Sequence, residues 1–295
     1  MERHASTGMT CGGRPPPHVE LRALLAEVGI HVWTATLDRS ADERARLATV
    51  LADDERERVR RLRREQDRAR FIVRRAVLRA ILGRYIGCSP QDVCFTANRF
   101  GRPALRGPAA GLDVRFSATH SHALAVYAVA HARHVGVDVE RVRPIPELER
   151  IARHHFAPGE SAALCALPPD VRTTAFLHCW TRKEAYVKAL GVGLSFPLDQ
   201  FEVSVRPDAP AALLADRIHP AHAGAWAMHD LPLGDEYVGS VTADGRDWGM
   251  RLMSWPPARG NACPDALHAM SVPSDGADAA FTCLTPPDVH GTIAR

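Results

Sequence analysis

Hydrophobic positions along the chain fall into two spacings. In the first, apolar residues alternate with polar ones or run nearly unbroken over short stretches, which is the pattern of strands. Residues 30–37 (Ile-His-Val-Trp-Thr-Ala-Thr-Leu) open this series, and further strands are expected at 91–98, 112–116, 124–130, 135–140, 201–205, 225–229, 236–242 and 249–254. Segments 124–130 and 135–140, joined by 131–134, read as an antiparallel hairpin. In the second spacing, apolar residues recur at helical intervals. Residues 38–52 form such a segment with Ser40 as N-cap, 53–87 form one or two helices, and 173–190 form a helix closed by Gly191 and Gly193. Residues 144–169 carry helical segments and a loop, and Phe100-Gly101-Arg102-Pro103 is a turn.

The order of these elements repeats faintly. Strand 30–37, helices and a strand near Val93 are echoed by strand 135–140, helices and a strand near Phe201. The expected fold is α+β, with two similar α/β lobes related by a pseudo-twofold, antiparallel sheets and a cleft between them. The boundaries are a flexible extension at 1–28, an N-terminal lobe at 29–133, a C-terminal lobe at 134–255 and a disordered tail at 256–295.

Composition narrows the class. The chain has 295 residues, 46% apolar and 24% charged, with formal net charge +3. That suffices for a large core and is too little charge to imply a polyanion partner. No apolar run reaches the roughly 20 residues that span a bilayer, and the N-terminus lacks a signal-peptide core. Seven scattered cysteines without metal spacing fit a reduced, cytoplasmic protein. His154, His155, His219 and His222 read as surface residues whose spacing makes no metal site.

Candidate chemistry sits in two stretches. In 134–140, Val135, Val137 and Val139 share one strand face, so Asp138 and Glu140 lie side by side on the other, roughly 6.5–7 Å apart. Two carboxylates that close repel unless a cation separates them, and a hard ion such as Mg²⁺ suits oxygen ligands. In helix 173–190, Lys183 falls inside the apolar arc, while Glu184 and Lys188 stack at its border. Alone, that pair is an ordinary surface ion pair worth about 0.3–0.5 kcal/mol. Together with the strand carboxylates it supplies the mixture of acids and cations that a metal beside a polyphosphate needs. The stretch 53–87 is rich in arginine. Most of these residues read as a solvated face, with one or two turned toward phosphate. Ser117–His122 is either a plain turn or a phosphate contact through His120 and nearby N–H groups.

Gly136-Val137-Asp138-Val139-Glu140, followed by Trp180-x-x-Lys183-Glu184-Ala185-x-x-Lys188, resembles the paired signature of the 4′-phosphopantetheinyl transferases. Length and the two-lobed pattern are similar to the Sfp-type subgroup. Phe100–Pro103, Thr119-His120-Ser121 and the basic helix through Arg58 and Arg70 add to the resemblance, which covers 30–254. It implies transfer of the 4′-phosphopantetheine arm of coenzyme A to a serine of an apo acyl or peptidyl carrier protein. Adenosine 3′,5′-bisphosphate is released, and Mg²⁺, or Mn²⁺ in its place, is required. It further implies that Asp138, Glu140 and Glu184 hold the metal. Glu184 or Glu140 takes the serine proton, and Lys188 stabilises the leaving phosphate. Lys183, Thr119 and His120 bind phosphate groups, and Arg58, Arg70 and Arg102 meet the 3′-phosphate or adenine end. Thr119 stands where the family commonly has Ser, and Arg102 where Lys is common. A monomer is expected, with no nucleic-acid or membrane partner. The competing readings are a basic-helix nucleic-acid binder and a catalytically idle coenzyme A-binding adaptor.

Overall fold

A computed structural model of the chain describes residues 17–193 and 196–256. The N-terminal half runs α1 (Pro17–Val28), β1 (Gly29–Thr36), α2 (Ala41–Ala48), α3 (Asp53–Arg61), α4 (Glu65–Ile86), β2 (Phe95–Ala97), β3 (Pro103–Leu105), β4 (Val114–Ser121) and β5 (Leu124–His131). The C-terminal half runs β6 (Val135–Arg141), α5 (Leu148–His155), α6 (Pro158–Cys165), α7 (Pro169–Leu190), β7 (Phe201–Val203), β8 (Leu213–Asp216), α8 (His222–Ala225), β9 (Trp226–Asp230), β10 (Tyr237–Asp244) and β11 (Gly249–Trp255). The fold is α+β, with small, mostly antiparallel sheets.

Two sheets carry the architecture, in the orders β11-β1-β5-β4 and β6-β10-β9. In each, the half's first strand pairs antiparallel with the second strand of a later hairpin. Each half also has a two-stranded ribbon, β2-β3 or β7-β8. The expected repeat is therefore present in strand order as well as in sequence style.

Four expectations change. The segment 124–130 does not form a hairpin with 135–140: β5 pairs with β1 and β4, whereas β6 opens the second sheet beside β10. The polar run 117–121 is strand rather than turn, because β4 continues through it in register with β5. Part of the presumed N-terminal extension is α1, whose Leu25 is fully buried against the N-terminal core. The last strand, placed with the C-terminal lobe from sequence, joins the N-terminal sheet parallel to β1. The expected disorder at 1–16 and in the tail beyond Pro256 concerns segments outside the described residues.

Among the described residues three apolar clusters form the core, and the third of them holds the halves together. One lies around α4 and one around α7. The third joins Ile30 and Val32 of β1, Val126 and Ala128 of β5, Val137 and Val139 of β6, and Val241 of β10. Fully burying a side chain of this size contributes about 1.5–3 kcal/mol, so the sheet-to-sheet layer is a substantial part of the core. Helix α7 lies directly on β6 at Gly136. A Cβ there would collide with the Ala185 carbonyl and the Ala189 backbone, so only glycine permits the approach. That close approach brings Asp138 and Glu140 beside Glu184 and Lys188.

Candidate active site

The site forms along the seam between β4 and β6. These strands share no ladder; the hydroxyls of β4 serve instead. Ser117 Oγ accepts from the Val137 N–H at 3.2 Å, and Ser121 Oγ accepts from the Arg141 N–H at 3.1 Å. Between them, Thr119 Oγ1 donates to Asp138 Oδ1 at 2.9 Å, and Ser121 Oγ donates to Glu140 Oε2 at 2.9 Å. Ser117, Thr119 and Ser121 share one face because strand side chains alternate. From α7, Lys188 Nζ donates to Asp138 Oδ1 at 2.6 Å and to Thr119 Oγ1 at 3.2 Å.

The electrostatics follow from burial. Asp138 is 4% and Glu184 7% exposed. Burial, and then the charge of Asp138, push the Glu140 carboxyl up to about 7. Burial also pushes Glu184 up to about 7; Lys188 opposes that rise and Asp138 adds to it. Burial alone would pull the Lys188 ammonium down, but Asp138 and Glu184 overcome it and hold it above its ordinary value. Asp138 Oδ2 is buried and accepts no hydrogen bond among the described residues. A buried carboxylate oxygen left without a donor is costly, and two neighbouring acids are driven toward their protonated forms. An oxygen-preferring divalent cation would offset both, so the residues present fit such an ion.

A cationic wall adjoins the carboxylates. His120 Nδ1 lies 3.5 Å from an Arg74 guanidinium nitrogen, and His122 Nδ1 lies 3.5 Å from Arg70. Burial first, then Arg74, Lys188 and Arg70, lower His120 to about 3. Arg70 is held by Asp38 at 2.8 Å, and Arg58 and Arg74 both lie over the Phe71 ring, at 5.6 and 4.8 Å. Arg74 was not singled out from the sequence. Its signal was available: it stands one helical turn after Arg70 on the same face of α4.

Two residues are placed elsewhere. Lys183 is fully buried, with its ammonium 2.7 Å from Glu160 and donating to the Leu198 and Phe201 carbonyls at 2.7 Å each. Its position inside the apolar arc reflects a buried ion pair, not a phosphate contact. Arg102 donates to the Ala189 carbonyl at 2.6 Å and the Val135 carbonyl at 3.1 Å. It closes the C-terminus of α7, where a cation complements the helix dipole, so its guanidinium is spent on backbone rather than on the adenine end of a ligand.

A model of the 4′-phosphopantetheinyl transferase superfamily matches residues 134–242. The 4′-phosphopantetheinyl transferase HetI of Nostoc sp. is 35% identical over 219 residues, covering 74% of this chain and 89% of that protein. This chain belongs to the 4′-phosphopantetheinyl transferase family. A 4′-phosphopantetheinyl transferase of Bacillus subtilis is 32% identical over 60% of this chain and 77% of its own length. The transferase Sfp of Bacillus subtilis is 29% identical over 65% of this chain and 84% of its own. The span matched by the phosphopantetheinyl transferase model contains Asp138, Glu140, Glu184 and Lys188. The hydroxyl face of β4 and the arginines of α4 precede it, so half of the site's wall lies outside the matched segment. No helix among the described residues is long and apolar enough to cross a membrane.

Proposed function

We propose that the seam binds coenzyme A with Mg²⁺ and moves its 4′-phosphopantetheine arm to a serine of an apo acyl or peptidyl carrier protein. One observation carries this reading: buried Asp138, bound by Lys188 and felt through space by Glu140 and Glu184, keeps an Oδ2 that no donor among the described residues satisfies. Asp138, Glu140 and Glu184 would hold the metal, which supplies charge neutralisation on the pyrophosphate and orients it.

The remaining work belongs to the chain. The serine oxygen attacks the phosphorus that carries the pantetheine arm, and the bond from that phosphorus to the bridging oxygen breaks, releasing adenosine 3′,5′-bisphosphate. The serine proton passes to Glu184 or Glu140, the carboxylates beside Asp138. Lys188, held in its charged form by its acidic neighbours, donates to the leaving phosphate oxygen. His120, Arg70 and Arg74 offer cations and N–H donors to the 3′-phosphate, with Arg58 behind Phe71 and Thr119 fixing Asp138.

The arginine-rich helices weigh against a nucleic-acid binder. Arg56 is paired with Asp53, Arg60 and Arg61 with Glu57, Arg68 with Glu65, and Arg75 and Arg79 with Glu55. These acids offset part of the basic charge that a polyanion would need. The repeated half within one chain supports a monomer, and free thiols at Cys88, Cys94, Cys165 and Cys179 support a reduced cytoplasmic setting. The test is mass spectrometry of a panel of apo carrier proteins incubated with the enzyme, coenzyme A and Mg²⁺. A gain of one phosphopantetheine group is expected, and unmodified carriers throughout would overturn the reading. Coenzyme A that binds with Mg²⁺ while every carrier stays unmodified would instead identify an idle adaptor.

A further inference from the structure

A second cluster of metal-ligating side chains lies outside the seam. Asp216 ends β8, His219 sits in the following loop and His222 opens α8. One donor atom from each lies within 4.8 Å of the others. The two histidines, expected on the surface, are partly exposed, with side chains at 40% and 27% of full exposure. Their sequence spacing gave no warning, since the third group comes from a strand end.

The geometry is built rather than incidental. Asp216 is 4% exposed. Its Oδ1 accepts from the N–H groups of Ile218 and His219, each at 2.8 Å, which fixes the loop. Its Oδ2 is 3.5 Å from His219 Nδ1 and 3.9 Å from His222 Nδ1. Tyr186 of α7 donates to the same Oδ2 at 2.5 Å, and its hydroxyl lies 2.6 Å from His222 Nδ1. The two imidazoles stack at 4.7 Å and 12°, between Phe196 at 6.0 Å and Trp226 at 5.2 Å. His219 Nδ1 is buried and makes no hydrogen bond among the described residues. Tetrahedral zinc with bonds of about 2.0–2.1 Å separates its donors by roughly 3.4 Å, close to the two separations from Asp216.

We propose that Asp216, His219 and His222 form a binding site for a zinc-class divalent transition metal. Tyr186 supports the carboxylate from α7, and solvent completes the coordination. Binding exchanges the Tyr186–His222 hydrogen bond for a metal bond and satisfies His219 Nδ1. The donor set separates this site from the seam: imidazole nitrogens favour zinc-like ions, whereas an all-carboxylate set favours hard ions such as Mg²⁺. The role is structural. The metal joins the end of β8 to the start of α8 through Asp216, His219 and His222, while Tyr186 of α7 keeps its hydrogen bond to Asp216.

The full-length protein, stripped with chelator and dialysed free of it, is titrated with zinc alone and with magnesium alone. The expected result is one zinc per chain that excess magnesium does not displace. Near a hundredfold excess over the dissociation constant, Tm should rise by roughly 5–10 °C. Cobalt(II) in place of zinc should give the visible bands of a tetrahedral site. His219→Ala and His222→Ala should abolish all three responses, and Asp138→Ala should keep them. Should the alanine variants not fold, His222→Gln, which can keep the hydrogen bond to Tyr186, makes the same test. Absent uptake, uptake unchanged in the histidine variants, or uptake lost in Asp138→Ala would each overturn the proposal.

Discussion

The N- and C-terminal halves use the same structural devices but not the same chemistry. Each contains a helix of 22 residues, α4 or α7, ended by a left-handed glycine: Gly87 with φ 73° or Gly191 with φ 71°. Each buries a glutamate at the third position of a short helix. Glu55 accepts from the Ala52 N–H at 3.0 Å, and Glu160 from the Ala157 N–H at 2.8 Å. Each glutamate pairs with a cation eight residues before the capping glycine, Arg79 (87 − 79 = 8) or Lys183 (191 − 183 = 8). One residue further on the halves diverge: α4 has Ala80 where α7 has Glu184. Arg84 of α4 lies over the Trp33 ring at 5.4 Å, whereas Lys188 at the matching place reaches Asp138. A device present in both halves belongs to the fold, and one present in a single half belongs to the chemistry. By that criterion Lys183 and Glu184, adjacent in sequence, have unrelated jobs.

The largest expected effect comes from making α7 resemble α4. Glu184→Ala, and likewise Asp138→Ala, should lower kcat on the order of 10³-fold, while thermal unfolding stays within a few degrees of the parent. Full carrier modification by either variant would erase the distinction between the halves. It would also remove the reason for placing a cation at the seam.

Next is the shared device itself. Lys183→Met leaves Glu160 charged or protonated in an apolar core, at a cost of about 3–5 kcal/mol. The double variant Lys183→Met/Glu160→Gln should recover most of that loss, because a neutral pair needs no compensating charge. Denaturant titration reads both. Coenzyme A binding by the folded double variant should match the parent. A large rise in KM for coenzyme A with unchanged stability would return Lys183 to the phosphate.

The halves also differ in what they bury near their first strands: acids on β6, a histidine on β1. His31 is fully buried, donates to or accepts from Tyr85 at 2.8 Å, and is pulled down to about 4 by burial and by Arg251. As pH falls below the ordinary histidine value near 6.5, the unfolded chain takes up a proton that the folded one refuses. Stability is therefore lost progressively between about pH 6.5 and pH 4, by up to about 3 kcal/mol. Chemical unfolding of the parent and of His31→Phe at pH 7.5 and 4.5 measures the difference. Equal acid losses in the two proteins would assign the effect to other groups.

The motif stretches were the most legible part of the sequence, because local periodicity placed Asp138 and Glu140 on one strand face and Glu184 and Lys188 on one helix border. Strand existence and the helix ends were also local matters. Pairing was not: the 124–130 and 135–140 hairpin was the natural local reading, yet β6 leaves to start a second sheet, a choice made by the buried layer around Val137 and Val241. Arg102 and Lys183 misled for a related reason. A cation in a stretch that resembles a family motif reads as a ligand contact until the structure shows a helix terminus or a buried acid in its path. Asp216 drew no notice because it gains meaning only through His219 and His222.

The smallest expected effect concerns what the N-terminal half lends to the seam. Among the described residues, Thr119 is the one hydroxyl that touches both Asp138 and Lys188, at 2.9 and 3.2 Å. Thr119→Ser keeps the donor and loses a methyl group, so turnover should stay within about twofold of the parent. Thr119→Val keeps the shape and loses the donor. One net hydrogen bond to a charged group is worth about 1.5–3 kcal/mol, but Lys188 still holds Asp138, so a loss near tenfold in kcat is expected, with little change in Tm. Parallel assays of the two variants separate the hydroxyl from the methyl. If Thr119→Val worked as well as Thr119→Ser, Lys188 alone would position Asp138, and the N-terminal half would contribute only cations to the site.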